Sequence, residues 1–402
     1  MKNILVIGFS TRNIICSGNR AGYNMYAIDA FCDHDMLECA RAAIKLDIGE
    51  GFHAENIEIS DLCGIIDSFG IEFDAIIPAS GFETISFPKN YPILCNDHDI
   101  MKEVTDKSRF ARLLSSLNLP HPQTYSLSEI ENINSPIMVK PACSGGGILN
   151  RVLYDWNDLQ SYLDSLNRMH IQLTEKDLVF QDYLQGIPAS VSVISTEDRA
   201  SAVAINEQLI GIPWLTGLPF AYCGNITPLY TPFSDQMKNI AENLILELGL
   251  VGSSGVDFLI TENGPVIIEV NARFQGSLDT VELSTGLNLF EAHMQAFEGK
   301  LPEEPRNREY AARAIIYGDR NIEVSAHLHE KILEKRSVDV PNTGDIVGPD
   351  EPLTSVLSTG NCREEVIREA RSSVMFIREC LDLDSPQENG PRTESTYVQN
   401  IK

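Results

Sequence analysis

Gly255-Val256-Asp257-Phe258-Leu259-Ile260 is followed by a turn at Asn263-Gly264 and then by Ile267-Ile268-Glu269-Val270-Asn271-Ala272-Arg273. Asn-Gly between two apolar runs is typical of a β-hairpin, so this stretch predicts two antiparallel strands. Glu269 and Asn271 are two residues apart and share one face of their strand. Asp257, on the other strand, can point to the same face.

The acids of this hairpin sit among apolar neighbours. An unpaired buried carboxylate is costly, and a bound cation is one way to compensate it. Asp257, Glu269 and Asn271 supply the hard oxygen ligands that suit Mg²⁺ (or Mn²⁺), with phosphate oxygens completing the shell. The hairpin therefore predicts a metal site. The alternative is simple alternation, with the acids on the solvated face of a sheet.

Arg273 follows Asn271 at the same two-residue spacing and is predicted to share its face. A cation beside a metal can stabilise the charge that develops during phosphoryl transfer. A salt bridge to one of the same acids is the alternative.

A second stretch, Ile137-Met138-Val139-Lys140, is an apolar strand that ends in lysine and leads into Ser144-Gly145-Gly146-Gly147. Backbone N–H groups of such a loop can fold over phosphates, because glycine permits close approach and positive φ. Lys140 would then reach the phosphates. The loop is not a Walker A motif, and an ordinary turn is the alternative. Together the two stretches favour an ATP-dependent enzyme.

Two further candidates have weaker signals. Residues 181–184 end a strand before a turn and could offer backbone groups to adenine; an ordinary core strand is the alternative. Residues 97–118 predict one helix. Judged by its local sequence alone, Lys107 would be an exposed lysine on the surface of that helix.

Composition excludes several classes of protein. The chain has 402 residues, 43% of them hydrophobic, and a formal charge of −26. Its length suggests about two to four domains. The acidity argues against a nucleic-acid partner, because neutralising phosphates needs a basic surface. The chain has no run of 18 consecutive apolar residues, so no membrane span is predicted. Nine scattered cysteines without a C-x-x-C pair predict a cytoplasmic protein with reduced thiols.

Residues 1–95 predict a doubly wound α/β domain. A helix is predicted at 13–21, with Gly22 ending it, and the loop at 8–12 lacks the G-x-G-x-x-G of a dehydrogenase. Residues 4–7 predict a fully buried parallel strand, residues 23–29 resemble a second strand, and residues 76–78 predict another buried strand.

Three polar residues lie near the carboxyl ends of these strands, where ligands tend to bind. Thr11, Arg12 and Asp29 are therefore candidate substrate contacts. Structural capping and pairing is the alternative.

The order of these pieces resembles the ATP-grasp superfamily of carboxylate–amine (or thiol) ligases, which is related to carbamoyl phosphate synthase and biotin carboxylase. An α/β domain is followed by Asp106-Lys107, by Val139-Lys140-Pro141 with its glycines, by the strand with Gln181, and by the hairpin. The resemblance covers about residues 1–300. Pro341-Asn342-Thr343-Gly344 and Gly348-Pro349-Asp350-Glu351-Pro352 are similar to the C-terminal region of an archaeal and methylotroph branch of the superfamily.

The resemblance implies a role for each candidate. Lys107 and Lys140 would touch ATP phosphates, and Arg273 would stabilise the reacting groups. The mobile phosphate lid would be Ser144, Gly145, Gly146 and Gly147; the adenine hinge would be Gln181, Asp182, Tyr183 and Leu184; the magnesium ligands would be Asp257, Glu269 and Asn271. Two positions depart from the family pattern: Gln181 replaces an acid, and Pro188 stands where many members carry a ribose-binding glutamate.

The resemblance also implies α/β and α+β architecture in successive units. These are a pre-ATP-grasp α/β domain (1–95), an ATP-grasp N-subdomain or lid (96–185), a C-subdomain (186–300), a small C-terminal α+β unit (301–381) and a polar tail (382–402).

The implied activity is an ADP-forming ligase that activates a small carboxylate as an acyl phosphate and joins it to an amine. A carboxylase using bicarbonate and a non-catalytic ATP-binding regulatory module are the alternatives. No biotin-accepting A-M-K-M occurs in the chain. The resemblance also implies a homodimer. Trp214, Phe220 and Tyr222 are predicted either to line the acceptor pocket or to belong to the core.

Overall fold

The computed structural model describes residues 1–46, 58–131, 135–169, 171–303 and 305–384. Most of the predicted polar tail at 382–402 lies outside the described residues. The described chain is organised around a four-stranded parallel N-terminal sheet, a four-stranded antiparallel sheet and an eight-stranded antiparallel sheet.

The chain begins with a four-stranded parallel sheet and its helices. The elements are β1 (Asn3–Gly8), α1 (Arg12–Arg20), β2 (Asn24–Asp29), α2 (His34–Cys39), β3 (Ala42–Lys45), α3 (Ile59–Ser68) and β4 (Ala75–Pro78). The strand order is β3-β2-β1-β4. Ile4 and Val6 pack towards α1, while Leu5 and Ile7 pack towards α3. Both faces of the sheet are covered, so the predicted doubly wound domain is confirmed.

A second, antiparallel sheet follows two helices. The elements are α4 (His98–Thr105), α5 (Lys107–Ser116), β5 (Thr124–Tyr125), α6 (Leu127–Ile130), β6 (Ile137–Pro141), β7 (Arg151–Leu153), α7 (Trp156–Arg168) and β8 (Leu178–Asp182). The strand order is β5-β8-β6-β7. The predicted single helix at 97–118 is wrong, because Asp106 has extended ψ and caps α5 by accepting from the Ser108 and Arg109 amides. Lys107 is consequently the first residue of a new helix.

The rest of the described chain forms an eight-stranded antiparallel sheet with flanking helices. The elements are β9 (Ile187–Ser195), β10 (Ala200–Ile210), β11 (Tyr222–Thr227), α8 (Ser234–Glu247), β12 (Gly252–Thr261), β13 (Gly264–Asn271), α9 (Leu278–Thr285), α10 (Leu289–Ala296), β14 (Tyr310–Tyr317), β15 (Ile322–Glu323), α11 (Ala326–Leu333), β16 (Ser337–Val338), β17 (Ile346–Val347), β18 (Pro352–Gly360) and α12 (Arg363–Asp384). The strand order is β13-β12-β9-β10-β11-β14-β18-β16, and β15 pairs separately with β17. The predicted hairpin is confirmed as β12–β13.

The large sheet runs across the predicted boundary at residue 300. Strand β14 pairs with β11 on one side and with β18 on the other. The C-terminal strands thus extend the sheet that carries the hairpin, and the division into units at this point stays a prediction. In the part of the chain that the structure describes, no helix has the length and apolar character needed to cross a membrane.

A buried ion network joins the beginning, middle and end of the chain. Arg12 donates to both carboxylate oxygens of Asp279 at 2.9 and 2.8 Å and, through Nε, to Asp339 at 2.9 Å. Arg313 donates to the other oxygen of Asp339 at 2.5 Å. Arg12 is only 2% exposed. Burial of this kind makes Arg12 a structural cross-link rather than the substrate contact that its position suggests.

Thr11 and Asp29 are also structural. Asp29 is buried and accepts from the Thr11 backbone N–H at 2.6 Å and from the Thr11 hydroxyl at 2.8 Å. Burial raises the pKa of Asp29, and these hydrogen bonds oppose the rise. The contacts of Thr11, Arg12 and Asp29 therefore support structural capping and pairing rather than substrate contact.

The cysteines differ from the expectation of reduced thiols at one place. Cys16 in α1 and Cys39 at the end of α2 form a disulfide, with their Cα atoms 5.2 Å apart. Cys32, Cys63, Cys95, Cys223 and Cys362 are free thiols.

Candidate active site

A cleft of about 640 Å³ lies between the sheet β5-β8-β6-β7 and the hairpin end of the eight-stranded sheet. All the residues predicted to hold ATP and magnesium, together with Arg273, line it. They are Lys107, Lys140, Ser144, Gly145, Gly146, Gly147, Gln181, Asp182, Tyr183, Leu184, Asp257, Glu269, Asn271 and Arg273. A cleft of this size suits a nucleotide-sized ligand.

A carboxylate pair lies on the hairpin wall of this cleft. Asp257 on β12 is directly opposite Glu269 on β13, and the register shifts immediately after Asp257. The Asn271 side chain lies beside both, with its Nδ2 3.3 Å from Asp257 Oδ2 and 3.4 Å from Glu269 Oε1. Burial, and then the charge of Glu269, raise the pKa of Asp257 well above its usual range. The nearby Arg273 charge opposes this rise but does not outweigh it.

This donor set fits a magnesium ion. Asp257 Oδ1 is buried and has no hydrogen-bond partner within the described residues, so a coordinating cation would remove an uncompensated acceptor. As a ligand, Asn271 would contribute its amide oxygen. Among the described residues there is no metal-suited cluster of three or more His, Cys, Asp or Glu side chains. The two carboxylates and the amide would therefore rely on phosphate oxygens to complete the shell.

Two buried lysines face the carboxylates from the other side. Lys140 on β6 is 5% exposed, and burial followed by repulsion from Lys107 lowers its pKa to about 8. Lys107 Nζ lies 3.9 Å from Glu269 Oε2 and also donates to the Ser144 carbonyl. The surface position that the sequence alone suggests for Lys107 is wrong, since this residue is 8% exposed. It is the new helix start at Asp106 that directs Lys107 into the cleft.

Glu269 is the acid that these cations stabilise. Burial alone would raise its pKa, but the charges of Lys107, Lys140 and Arg273 outweigh burial and lower it. Glu269 is thus the carboxylate that stays ionised, while its neighbour Asp257 holds a proton more readily. A dication would reduce that difference, because it favours the charged form of both acids.

The glycine loop after β6, residues 144–147 and hereafter the phosphate loop, lies over the cleft. Gly146 and Gly147 have φ angles of +70° and +71°, which favour glycine strongly. The Gly146 carbonyl accepts from the Tyr222 N–H at 2.9 Å. This loop is therefore closed onto the first residue of β11.

The predicted adenine hinge is partly committed to protein contacts. The Asp182 N–H donates to the Gln123 carbonyl at 3.0 Å, and the Tyr183 N–H donates to the Pro136 carbonyl at 3.3 Å. Gln181 turns its amide nitrogen to the Thr124 hydroxyl at 3.1 Å. Of the hinge amides, Leu184 N–H has no backbone acceptor in the described chain. It is the amide available to a purine edge.

Arg273 has a partner that the sequence did not indicate. Its Nε donates to Glu83 Oε1 at 2.6 Å, whereas the alternative considered from the sequence was a bridge to Asp257 or Glu269. Glu83 follows β4 in the N-terminal domain, and its Oε2 is buried with no hydrogen-bond partner in the described chain. The sequence did carry one signal for Glu83: this residue follows the carboxyl end of a parallel strand, where ligand-contacting residues tend to lie.

The three aromatic residues are divided between cleft and core. Phe220 and Tyr222 line the cleft, while Trp214 and Tyr222 both pack against the core cluster around β14 and α12. Gln275 also lines the cleft and was not predicted; its amide oxygen accepts from Ser192 at 3.1 Å. A Cβ on Gly255 would overlap the Gln275 side chain, so the glycine that opens the hairpin motif makes room for this glutamine.

Comparison with known proteins agrees with this geometry. Residues 104–277 match the model of the ATP-grasp domain. A Methanocaldococcus jannaschii protein described as uncharacterized is 24% identical over 369 residues, covering 89% of this chain and 88% of its own. The 3-methyl-D-ornithine–L-lysine ligase of Methanosarcina barkeri is 25% identical over 230 residues, which are 56% of each chain.

A solved structure, the biotin carboxylase–βγ-ATP complex from Campylobacter jejuni, has a TM-score of 0.70 at 17% identity and covers 95% of each chain. At this identity the likeness shows the fold alone. The comparisons therefore show an ATP-grasp domain at residues 104–277 of this chain.

Proposed function

We propose that the protein is an ADP-forming ligase, which activates a small carboxylate with ATP and joins the acyl group to an amine. The observation that carries this proposal is the meeting of Lys107, Lys140, Asp257, Glu269 and Arg273 in one cleft. Cations for phosphates, oxygen ligands for a metal and an arginine beside them are what phosphoryl transfer requires. The carboxylate–amine ligase among the relatives supports the same reaction class.

The residues divide the work by position. Lys107 and Lys140 would hold phosphate oxygens, and Asp257, Glu269 and Asn271 would hold magnesium. Magnesium, when bound, supplies charge neutralisation at the phosphates. Arg273 would stabilise the negative charge that develops on the transferred group. Leu184 would read the adenine edge, while the closed phosphate loop would keep water from the reacting groups.

The chemistry balances without a side-chain nucleophile. A carboxylate oxygen of the substrate attacks the γ-phosphorus of ATP, and ADP leaves. The amine then attacks the carbonyl carbon of the acyl phosphate, inorganic phosphate leaves, and the amine loses a proton. This sequence suits a cleft made of cations and metal ligands.

The substrates can be found by measuring nucleotide products. Purified protein is incubated with Mg-ATP and with pools of amino acids and small carboxylic acids, with and without bicarbonate. We expect ADP release that depends on both a carboxylate and an amine, and splitting the pools then identifies the pair. Release that needs bicarbonate would favour the carboxylase alternative, and AMP release would overturn the acyl-phosphate route. Magnesium-dependent ATP binding without turnover in any pool would favour the regulatory module.

Lys140→Met is the background control for that screen. Methionine keeps most of the length and suits a buried site, but it removes the charge that would hold phosphate. We expect substrate-dependent ADP release to fall by on the order of 100-fold, while Lys176→Met, at an exposed position, leaves the rate unchanged. Equal release by wild type and Lys140→Met would mean that the measured activity does not come from this cleft.

Glu83→Gln tests the partner of Arg273. Glutamine keeps an acceptor for Arg273 Nε but removes the charge that orients the guanidinium. We expect kcat to fall by about 10- to 100-fold with ATP affinity nearly unchanged, because both lysines stay in place. Steady-state kinetics and nucleotide titration measure the two effects, with exposed Glu72→Gln as the control. Weaker ATP binding at an unchanged kcat would contradict a positioning role for Glu83.

A further inference from the structure

The loop between β10 and β11, residues 211–221 and hereafter the docking loop, is closed on itself. The Gly211 N–H donates to the Ala221 carbonyl at 2.9 Å, and the Leu215 N–H donates to the Ile212 carbonyl at 2.8 Å. Gly211 has a φ of +59°, and a Cβ there would lie 2.0 Å from the Pro219 carbonyl oxygen. The loop therefore has one compact shape to present to its neighbours.

The phosphate loop rests on the end of the docking loop. The Tyr222 N–H, immediately after the docking loop, donates to the Gly146 carbonyl at 2.9 Å. Gly147 faces the Phe220 carbonyl, and a Cβ on Gly147 would lie 2.1 Å from that oxygen. Phe220 also meets the hinge residue Tyr183 edge-to-face, with ring centroids 6.3 Å apart. One side of the docking loop thus contacts both regions expected to hold the nucleotide.

The opposite side of the docking loop is held by the C-terminal elements. Arg378 on α12 donates from Nε to the Trp214 carbonyl at 3.3 Å and from Nη2 to the Leu215 carbonyl at 3.0 Å. Strand β14 adds the Tyr317 N–H, which donates to the Leu215 carbonyl at 3.0 Å. The Tyr317 hydroxyl donates to the Tyr222 carbonyl at 2.8 Å. A guanidinium that bridges two successive carbonyls fixes the loop backbone directly.

We propose that Arg378 is a positioning residue for nucleotide closure: it holds the docking loop in the shape on which the phosphate loop closes. This gives the C-terminal helix a part in the site although none of the described side chains of α12 lines the cleft. The inference rests on the proposed ATP-dependent function. Arg378 should affect nucleotide affinity. If fewer molecules have the phosphate loop docked on the docking loop, the apparent affinity for nucleotide falls in proportion.

The test compares Arg378→Met with Arg371→Met, which changes an exposed arginine on the same helix. The dissociation constant of Mg-ADP is measured by calorimetry, and hydrogen exchange is followed in the peptide that contains Tyr222, whose N–H is bonded to Gly146. In Arg378→Met we expect about tenfold weaker binding, for a tenfold loss of the docked state, and faster exchange at Tyr222. Arg378→Lys should recover part of both effects, and Arg371→Met should match the wild type.

Tyr317→Phe provides an independent variant, because it removes one hydroxyl and leaves Arg378 intact. If Arg378→Met does not fold, Arg378→Lys and Tyr317→Phe carry the test, each with weaker binding and faster Tyr222 exchange expected. Wild-type affinity and wild-type exchange in the folded variants would overturn the inference while leaving the proposed function in place. Failure of the wild type to bind Mg-ADP would overturn both.

Discussion

Replacing Glu269 with glutamine is expected to lower substrate-dependent ADP release by on the order of 1,000-fold. Glu269 is the acid that Lys107, Lys140 and Arg273 keep ionised, and it lies opposite Asp257 in the proposed metal site. Glutamine has nearly the same shape but carries no charge. The site would lose a metal ligand and, at the same time, the counter-charge of two buried lysines.

Magnesium titration separates a metal ligand from a general electrostatic effect. In Glu269→Gln, half-maximal activity should require at least about tenfold more Mg²⁺ than in the wild type. EDTA should abolish the wild-type activity. Glu262→Gln provides the matched control, because Glu262 is exposed in the turn of the same hairpin. Activity within about threefold of the wild type, at an unchanged Mg²⁺ requirement, would show that Glu269 does not hold the metal.

The hairpin was predictable from the sequence because its signals are local. An Asn-Gly turn between two apolar runs sets the strand pairing, and the two-residue spacing puts Glu269 and Asn271 on one face. The same holds for β6 and its glycine loop. The candidate residues on these elements do line one cleft, although their roles remain predictions.

The parts that the sequence did not predict depend on contacts between distant segments. Glu83 reaches Arg273 across 190 positions, and Arg378 reaches the docking loop across 163 and 164 positions. The break at Asp106 is different, because capping competes there with a helical pattern that looks continuous. The sequence pattern around Asp106 cannot decide whether one helix continues or a new one begins there. That outcome also sets the orientation of Lys107.

The buried network around Asp339 predicts the largest effect on stability. Asp339→Asn removes the charge that faces Arg12 at 2.9 Å and Arg313 at 2.5 Å. Arg12 keeps Asp279 and Asp35 as partners, but Arg313 loses the carboxylate with which it is paired. Breaking one side of a buried ion pair typically costs about 3–5 kcal/mol. Asparagine tolerates the positive φ of 55° at this position, so the cost comes from charge and not from the backbone.

Differential scanning calorimetry and urea unfolding test this expectation against Asp319→Asn. Asp319 pairs with Arg320 at 3.3 Å, but its side chain is 60% exposed, so its loss should change the free energy of unfolding by less than about 0.5 kcal/mol. A loss below about 1 kcal/mol in Asp339→Asn would contradict the network's role.

The pH dependence gives the same network a second signature. Burial alone would raise the pKa of Asp339, but Arg12 and Arg313 outweigh burial and lower it. A carboxylate with a lowered pKa stabilises the fold above its unfolded pKa, about 3.9, and loses that contribution as the pH falls towards the folded value. The stability difference between the wild type and Asp339→Asn should therefore be largest near neutral pH and shrink below about pH 4.

Because Arg313 also donates to the carbonyl of the cleft residue Gly276 at 3.0 Å, the variant should lose activity before it unfolds.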